Sequence, residues 1–80
     1  MQKSISSRHY AHFLRVLREA REKAGLSQEE LAVRLGETQS FVSKCERGER
    51  RMDIVELREF CKAMGLTLDT FVKQFERGLR

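Results

Sequence analysis

The 80-residue sequence has no proline, only two cysteines, and no apolar run near the ~18 residues that a membrane-spanning helix needs. Its opening stretch, MQKSISSRHY, lacks the apolar segment of a secretory signal, so a cytoplasmic location away from membranes is expected. Without such a signal, two cysteines do not make a disulfide-stapled secreted scaffold. There is no Cys-x-x-Cys, and His9 and His12 have no ligand spacing to Cys45 or Cys61, so neither a zinc site nor any other cofactor is expected. No Ser/His/Asp set, carboxylate pair or phosphate-binding glycine loop is visible. So short a chain also walls off too little concave surface for a typical enzyme, and no enzymatic activity is expected. Nor is there an internal repeat, a low-complexity segment or a linker. These absences leave a compact binding module: one domain, residues 1–80, with an ordered core over about 8–77.

What is present is charge, unevenly spread. Sixteen Lys and Arg against twelve Asp and Glu give a net charge of +4. The excess falls within residues 1–26, where Lys3, Arg8, Arg15, Arg18, Arg21 and Lys23 face only Glu19 and Glu22. Residues 27–51 are balanced, yet Lys44, Arg47, Arg50 and Arg51 cluster there, interrupted by Glu46 and Glu49. A basic domain suits a polyanionic partner, although a solvated charged face looks the same in composition.

Apolar residues recur at three- and four-residue intervals and never alternate over a strand-length run, which predicts an all-α chain. Five helices follow from the caps and stops. The first is predicted over Arg8–Ala24 with Ser7 as its cap, and with Phe13, Leu17, Ala20 and Ala24 on one face beside Leu14. The second runs from Gln28 to Leu35 behind a Ser27–Glu30 capping box, burying Leu31, Ala32 and Leu35. The third follows Thr38 and reaches Arg47, with Val42 and Cys45 inward and Phe41 at the edge. The fourth spans Ile54–Met64 behind Asp53 and Glu56, with Ile54, Leu57, Phe60, Cys61 and Met64 inward. The fifth begins at Leu68 after Thr67 and aligns Phe71, Val72, Phe75 and Leu79. Gly25, Gly36, Gly48 and Gly65 mark the first four ends. Cys45 and Cys61 lie on inward stripes and read as buried thiols.

Only Gly36-Glu37-Thr38 separates the second and third helices, so the two must cross steeply, as in a helix-turn-helix. The third helix then turns Gln39, Ser40, Ser43, Lys44 and Arg47 outward as one stripe. A helix about 10–12 Å across fits a B-DNA major groove about 12 Å wide. Glutamine can pair with adenine, lysine with guanine, and serine with either. Thr38 at the helix start can donate to a phosphate, and the amides of that first turn favour an anion.

The stretch from Leu26 to Arg51, LSQEELAVRLGETQSFVSKCERGERR, resembles the Cro/C1-type (XRE-type) helix-turn-helix family of phage and bacterial repressors. The matching frame is Leu-Ser-Gln-x-x-Leu-Ala, then Gly, then Thr-Gln-Ser-Phe-Val-Ser, then Glu-Arg-Gly. With the flanking helices the likeness covers about residues 10–75. It implies a compact five-helix, lambda-repressor-like fold that binds double-stranded DNA, in a bacterial or phage-encoded protein. It also implies roles. Gln28 matches a position that contacts a phosphate and braces the recognition helix. Gln39 and Ser40 match positions that touch base edges, and Ser43 and Lys44 match positions one turn on. Arg47, Arg50 and Arg51 match positions near the DNA backbone. Glu46 matches a structural acid that pairs with an arginine late in the first helix, a place that Arg21 occupies here. Two departures stand out: Glu37 replaces an apolar or small turn residue, and Met52 stands where proline is common.

The function so expected is a sequence-specific transcriptional regulator, a repressor on a palindromic operator. It would act as a homodimer, with Phe75 and Leu79 forming part of the two-fold contact. Lys3 and Arg8 are further phosphate candidates. The alternative is an antitoxin or adaptor whose main partner is a protein docked on the fifth helix.

Overall fold

The computed structural model describes the backbone of residues 3–79 and the side chains of residues 8–79, so the Lys3 side chain lies outside it. Five helices follow in order: α1 (Lys3–Lys23), α2 (Gln28–Leu35), α3 (Gln39–Glu46), α4 (Ile54–Ala63) and α5 (Leu68–Arg77). No strand occurs among the described residues. The caps of α2 to α5 form as their sequences require. Ser27 Oγ accepts from the Glu30 amide at 3.0 Å while Glu30 Oε1 accepts from the Ser27 amide at 2.8 Å. Asp53 and Glu56 make the same reciprocal box at 2.8 and 3.0 Å. Thr38 and Thr67 each accept from the amide three residues on, at 3.1 and 3.2 Å.

Helix α1 departs from expectation at both ends. It begins at Lys3, so Ser7 lies inside the helix and is not its cap. It stops at Lys23, which leaves Ala24 exposed in the turn rather than on the buried face.

Apolar stripes from all five helices meet in one core. Leu17, Leu31, Val42, Cys45, Phe60, Cys61 and Phe71 are fully buried. Helix α2 packs on α3 and α4, α1 on α3 and α5, and α4 on α5. Phe13, half-buried, stacks edge-on to Phe71 with ring centroids 5.9 Å apart, which ties α1 to α5. Val16 and Leu26 join the core although periodicity did not single them out. Ile54 leaves it: as the first residue of α4 it projects from the free end and is 66% exposed. Val72 also stays partly exposed, and Leu79 is not on the α5 face at all: the helix ends at Arg77 and Leu79 lies partly exposed in the turn after it. Met52 packs half-buried against the core, and its N–H donates to the Tyr10 hydroxyl at 3.4 Å. A proline at that position would have no such donor.

At Gly48 two demands for glycine coincide: φ is +77° and an added Cβ would lie 2.9 Å from Leu14 Cδ1. At Gly36 φ is +70° but the space is open. Gly36→Ala is expected to cost about 1 kcal/mol from backbone strain alone. Gly48→Ala is expected to cost more, because Leu14 must also move, and paired thermal melts check the order. Burial pushes the Cys61 thiol from 9.0 up to about 11. The unfolded thiol ionises first as pH rises, so this contribution to stability is intact below about pH 9 and lost towards about 11. Urea melts of the parent and Cys61→Ala across that range are expected to show a smaller alkaline loss in the variant.

Candidate nucleic-acid interface

The turn between α2 and α3 closes in a Schellman arrangement. Gly36, at φ 70° and ψ 30°, donates to the Val33 carbonyl at 3.1 Å, and the Glu37 amide donates to the Ala32 carbonyl at 2.9 Å. Thr38 then starts α3 at once. Leu31 and Ala32 on α2 and Val42 and Cys45 on α3 are buried, so packing fixes how the second helix is rolled. Its opposite face is left in solvent: Gln39, Ser40, Lys44 and Arg47 are exposed and Ser43 is half-buried. Thr38 Oγ1 is engaged as an acceptor, which leaves its hydroxyl proton available to an incoming anion.

Behind that face sits a buried ion pair. Arg21 Nε donates to Glu46 Oε2 at 2.7 Å and Arg21 Nη2 to Glu46 Oε1 at 3.2 Å. Arg21 Nη1 reaches the Leu26 carbonyl at 2.8 Å, and Gln28 Nε2 donates to Glu46 Oε1 at 3.0 Å. The two charged side chains are 11% and 3% exposed. The Glu46 carboxylate therefore ties the last turn of α3 to α1 and to the first turn of α2, and Arg21 adds the loop before α2. Gln28 keeps a second amide hydrogen for another acceptor.

The arginines beyond α3 are already occupied. Arg47 Nε pairs with Glu49 Oε2 at 2.8 Å, and Arg47 also donates to the Ser43 hydroxyl. Arg50 Nη2 pairs with Glu56 Oε2 at 2.7 Å, and its guanidinium lies 4.8 Å above the Phe41 ring. Arg51 stacks on Tyr10 at 4.2 Å. Arg47 holds the Glu49 carboxyl below the usual carboxylate range, and Arg50 does the same for Glu56. Glu37, in the turn, is exposed close to the start of α3.

The structure thus gathers Gln39, Ser40, Ser43 and Lys44 on one face of α3, which ends at Glu46, one residue earlier than expected, so that Arg47 caps its C-terminal end. Gln28 and Thr38 stand at the first turns of α2 and α3, and Arg50 and Arg51 in the loop beyond α3. Sequence reasoning missed Glu49 and Glu56 as partners of these arginines. For Glu49 a signal exists in the alternating charges of Glu46-Arg47-Gly48-Glu49-Arg50. For Glu56 none does, since the pair spans a loop with no regular spacing. Among the described residues no group of three His, Cys, Asp or Glu is placed to hold a metal ion, and no helix is long and apolar enough to cross a membrane.

Residues 17–71 match the family described as Helix-turn-helix. Over 68 residues the chain is 35% identical to an uncharacterized transcriptional regulator in the ATPase CF(0) region of Rhodospirillum rubrum, covering 85% of this chain and 63% of that protein. Over 47 residues it is 38% identical to the uncharacterized HTH-type transcriptional regulator y4dJ of Sinorhizobium fredii, covering 59% of this chain and 61% of that protein. The chain thus spans a little over three fifths of the length of these curated relatives. A solved structure, an XRE-family like protein from Pseudomonas syringae pv. tomato, superposes with a TM-score of 0.88 at 42% identity, covering 98% of this chain and 95% of that one.

Removing one partner of the buried pair strands the other. Glu46→Ala leaves Arg21 buried and Gln28 without its acceptor, and is expected to cost about 3–5 kcal/mol. Thermal and urea melts measure it. A midpoint equal to the parent's would show that the pair is dispensable.

Proposed function

This chain belongs to the XRE-type helix-turn-helix family, and we propose that it binds double-stranded DNA sequence-specifically as a transcriptional regulator. The observation that carries the reading is the α3 face: a short polar and basic stripe, rolled outward by buried Val42 and Cys45 and anchored behind by Glu46. In this reading α3 enters the major groove. Gln39 and Ser40 meet base edges, and Ser43 and Lys44 reach bases or backbone one turn later. Gln28, Thr38, Arg47, Arg50 and Arg51 take phosphates, with Arg8 a further candidate. Phosphate contacts set register and supply salt-dependent affinity, while base contacts set sequence.

The protein acts as a repressor in this proposal, occupying promoter DNA in the cytoplasm without chemistry of its own. A homodimer presents two α3 helices about 34 Å apart, one helical turn, to a palindromic operator. Support for the dimer comes from α5 and the residues after it. Phe75 packs against His12 at 5.2 Å but stays half-buried, and Leu79 is 38% exposed. A second reading, an antitoxin or adaptor for a protein partner, draws on the apolar groove of about 500 Å³ whose lining includes Tyr10, Phe13, Leu57, Phe71 and Phe75.

Selection of bound duplexes from a random DNA pool separates the two. A palindromic consensus is the expected result, and recovery of an unenriched pool would favour the adaptor. On the selected site, Gln39→Ala is expected to cost about 1–3 kcal/mol and to relax preference at one base pair. Arg51→Ala is expected to weaken all sequences alike and to flatten the salt slope by about 1. Equal loss on selected and random DNA for Gln39→Ala would remove it from base reading.

A further inference from the structure

Glu49 sits where a duplex would need positive charge. Its carboxylate grips Arg47 in a two-pronged fork, with Nε to Oε2 at 2.8 Å and Nη2 to Oε1 at 3.3 Å. A phosphate takes the same fork from a guanidinium. Lys44, on the α3 face, adds a through-space attraction to the same carboxylate.

Stability does not explain this acid. Both side chains of the pair are 55% exposed, and such pairs contribute little to folding. Glu49 follows the C-terminal end of α3, where the carbonyl dipoles disfavour negative charge. Its backbone amide closes the helix end by donating to the Lys44 carbonyl at 2.9 Å, a bond that any residue except proline could make. Glu56, which pairs with Arg50, differs: it also closes the capping box of α4, so its position has a structural reason. The Glu49 carboxylate has no bond other than its fork on Arg47 among the described residues.

We propose that Glu49 is an internal stand-in for a DNA phosphate, occupying Arg47 in the free protein and thereby lowering its affinity for every duplex. The proposal deepens the DNA-binding reading of α3 and rests on it. When DNA arrives, Arg47 leaves Glu49 for a phosphate and a condensed counterion is released. The uncovered carboxylate attracts a cation in turn, so the exchange gains little from counterion release. Phosphate attraction then supplies a smaller share of the binding, and the base contacts of α3 a larger one.

The test is fluorescence anisotropy of a labelled random-sequence duplex, titrated with the whole chain over a series of KCl concentrations. Parent, Glu49→Ala, Glu49→Gln and Glu19→Gln are compared. Glu19 is exposed on α1 and lines a groove with Gln74 and Arg77 that no α3 residue enters, so its substitution changes net charge away from the α3 face. Both Glu49 variants are expected to bind about three- to tenfold tighter at low salt, with a slope steeper by about 0.9, and to melt with the parent. Glu19→Gln is expected to stay close to the parent. If the Glu49 variants match the parent or Glu19→Gln, or bind more weakly, the proposal is overturned. If the parent itself shows no salt-dependent binding to any duplex, the DNA reading falls and the proposal with it.

Discussion

Burying a carboxylate is costly unless its oxygens are filled, and Glu46 meets that condition with three hydrogen bonds drawn from two other helices. Two come from Arg21 on α1 and one from Gln28 on α2. Because both oxygens are engaged, α3 can neither slide along nor roll against its neighbours without stranding a charge. The fully buried Val42 and Cys45 make the same demand through packing. Apolar contact excludes water from this side of α3, and the ion pair fixes register. The outward direction of Gln39, Ser40 and Lys44 is therefore a consequence of what lies behind them.

The charge on the outer face is arranged differently. Residues 27–51 are electrically balanced, and two of their arginines are paired: Arg47 with Glu49 inside the segment, and Arg50 with Glu56 beyond it. Both pairs are local and solvated, and they add little to stability. Aromatic rings steady the loop arginines, Phe41 under Arg50 and Tyr10 under Arg51, so these long side chains are partly ordered before any partner arrives. Ordering in advance lowers the entropy lost on binding. The same positions that hold arginines ready also hold acids that compete for them. On the proposed role of Glu49, such a surface would favour a partner that offers specific hydrogen bonds over one that offers charge alone.

Much of this was legible in the sequence because it is local. Ser27 with Glu30, Asp53 with Glu56, and Gly36 between two apolar stripes each act within a few residues. They placed α2 and α4 and the turn before α3. The roll of α3 followed from the spacing of Val42 and Cys45. What was not legible depends on contacts between distant segments. Leu26 lies in the turn between α1 and α2 and is buried in the common core, with no periodicity to reveal it. Ile54 matches the stripe of α4 but sits at its free end, where no neighbour covers it. The stacking of Arg51 on Tyr10 joins residues far apart in the chain, and only the packing of α1 beside the α3–α4 loop brings them together. That α1 extends ahead of Ser7 was not legible either, because Ser7 reads locally as a cap.

The most direct measurement is an amide-resolved NMR titration of the chain with a duplex recovered by selection. The account expects the largest shift changes at Gln28, Thr38–Lys44, Arg47 and Arg50–Arg51, with the core amides of α5 nearly still. Changes centred on the groove around Phe13, Leu57 and Phe75, with the α3 amides unmoved, would contradict it.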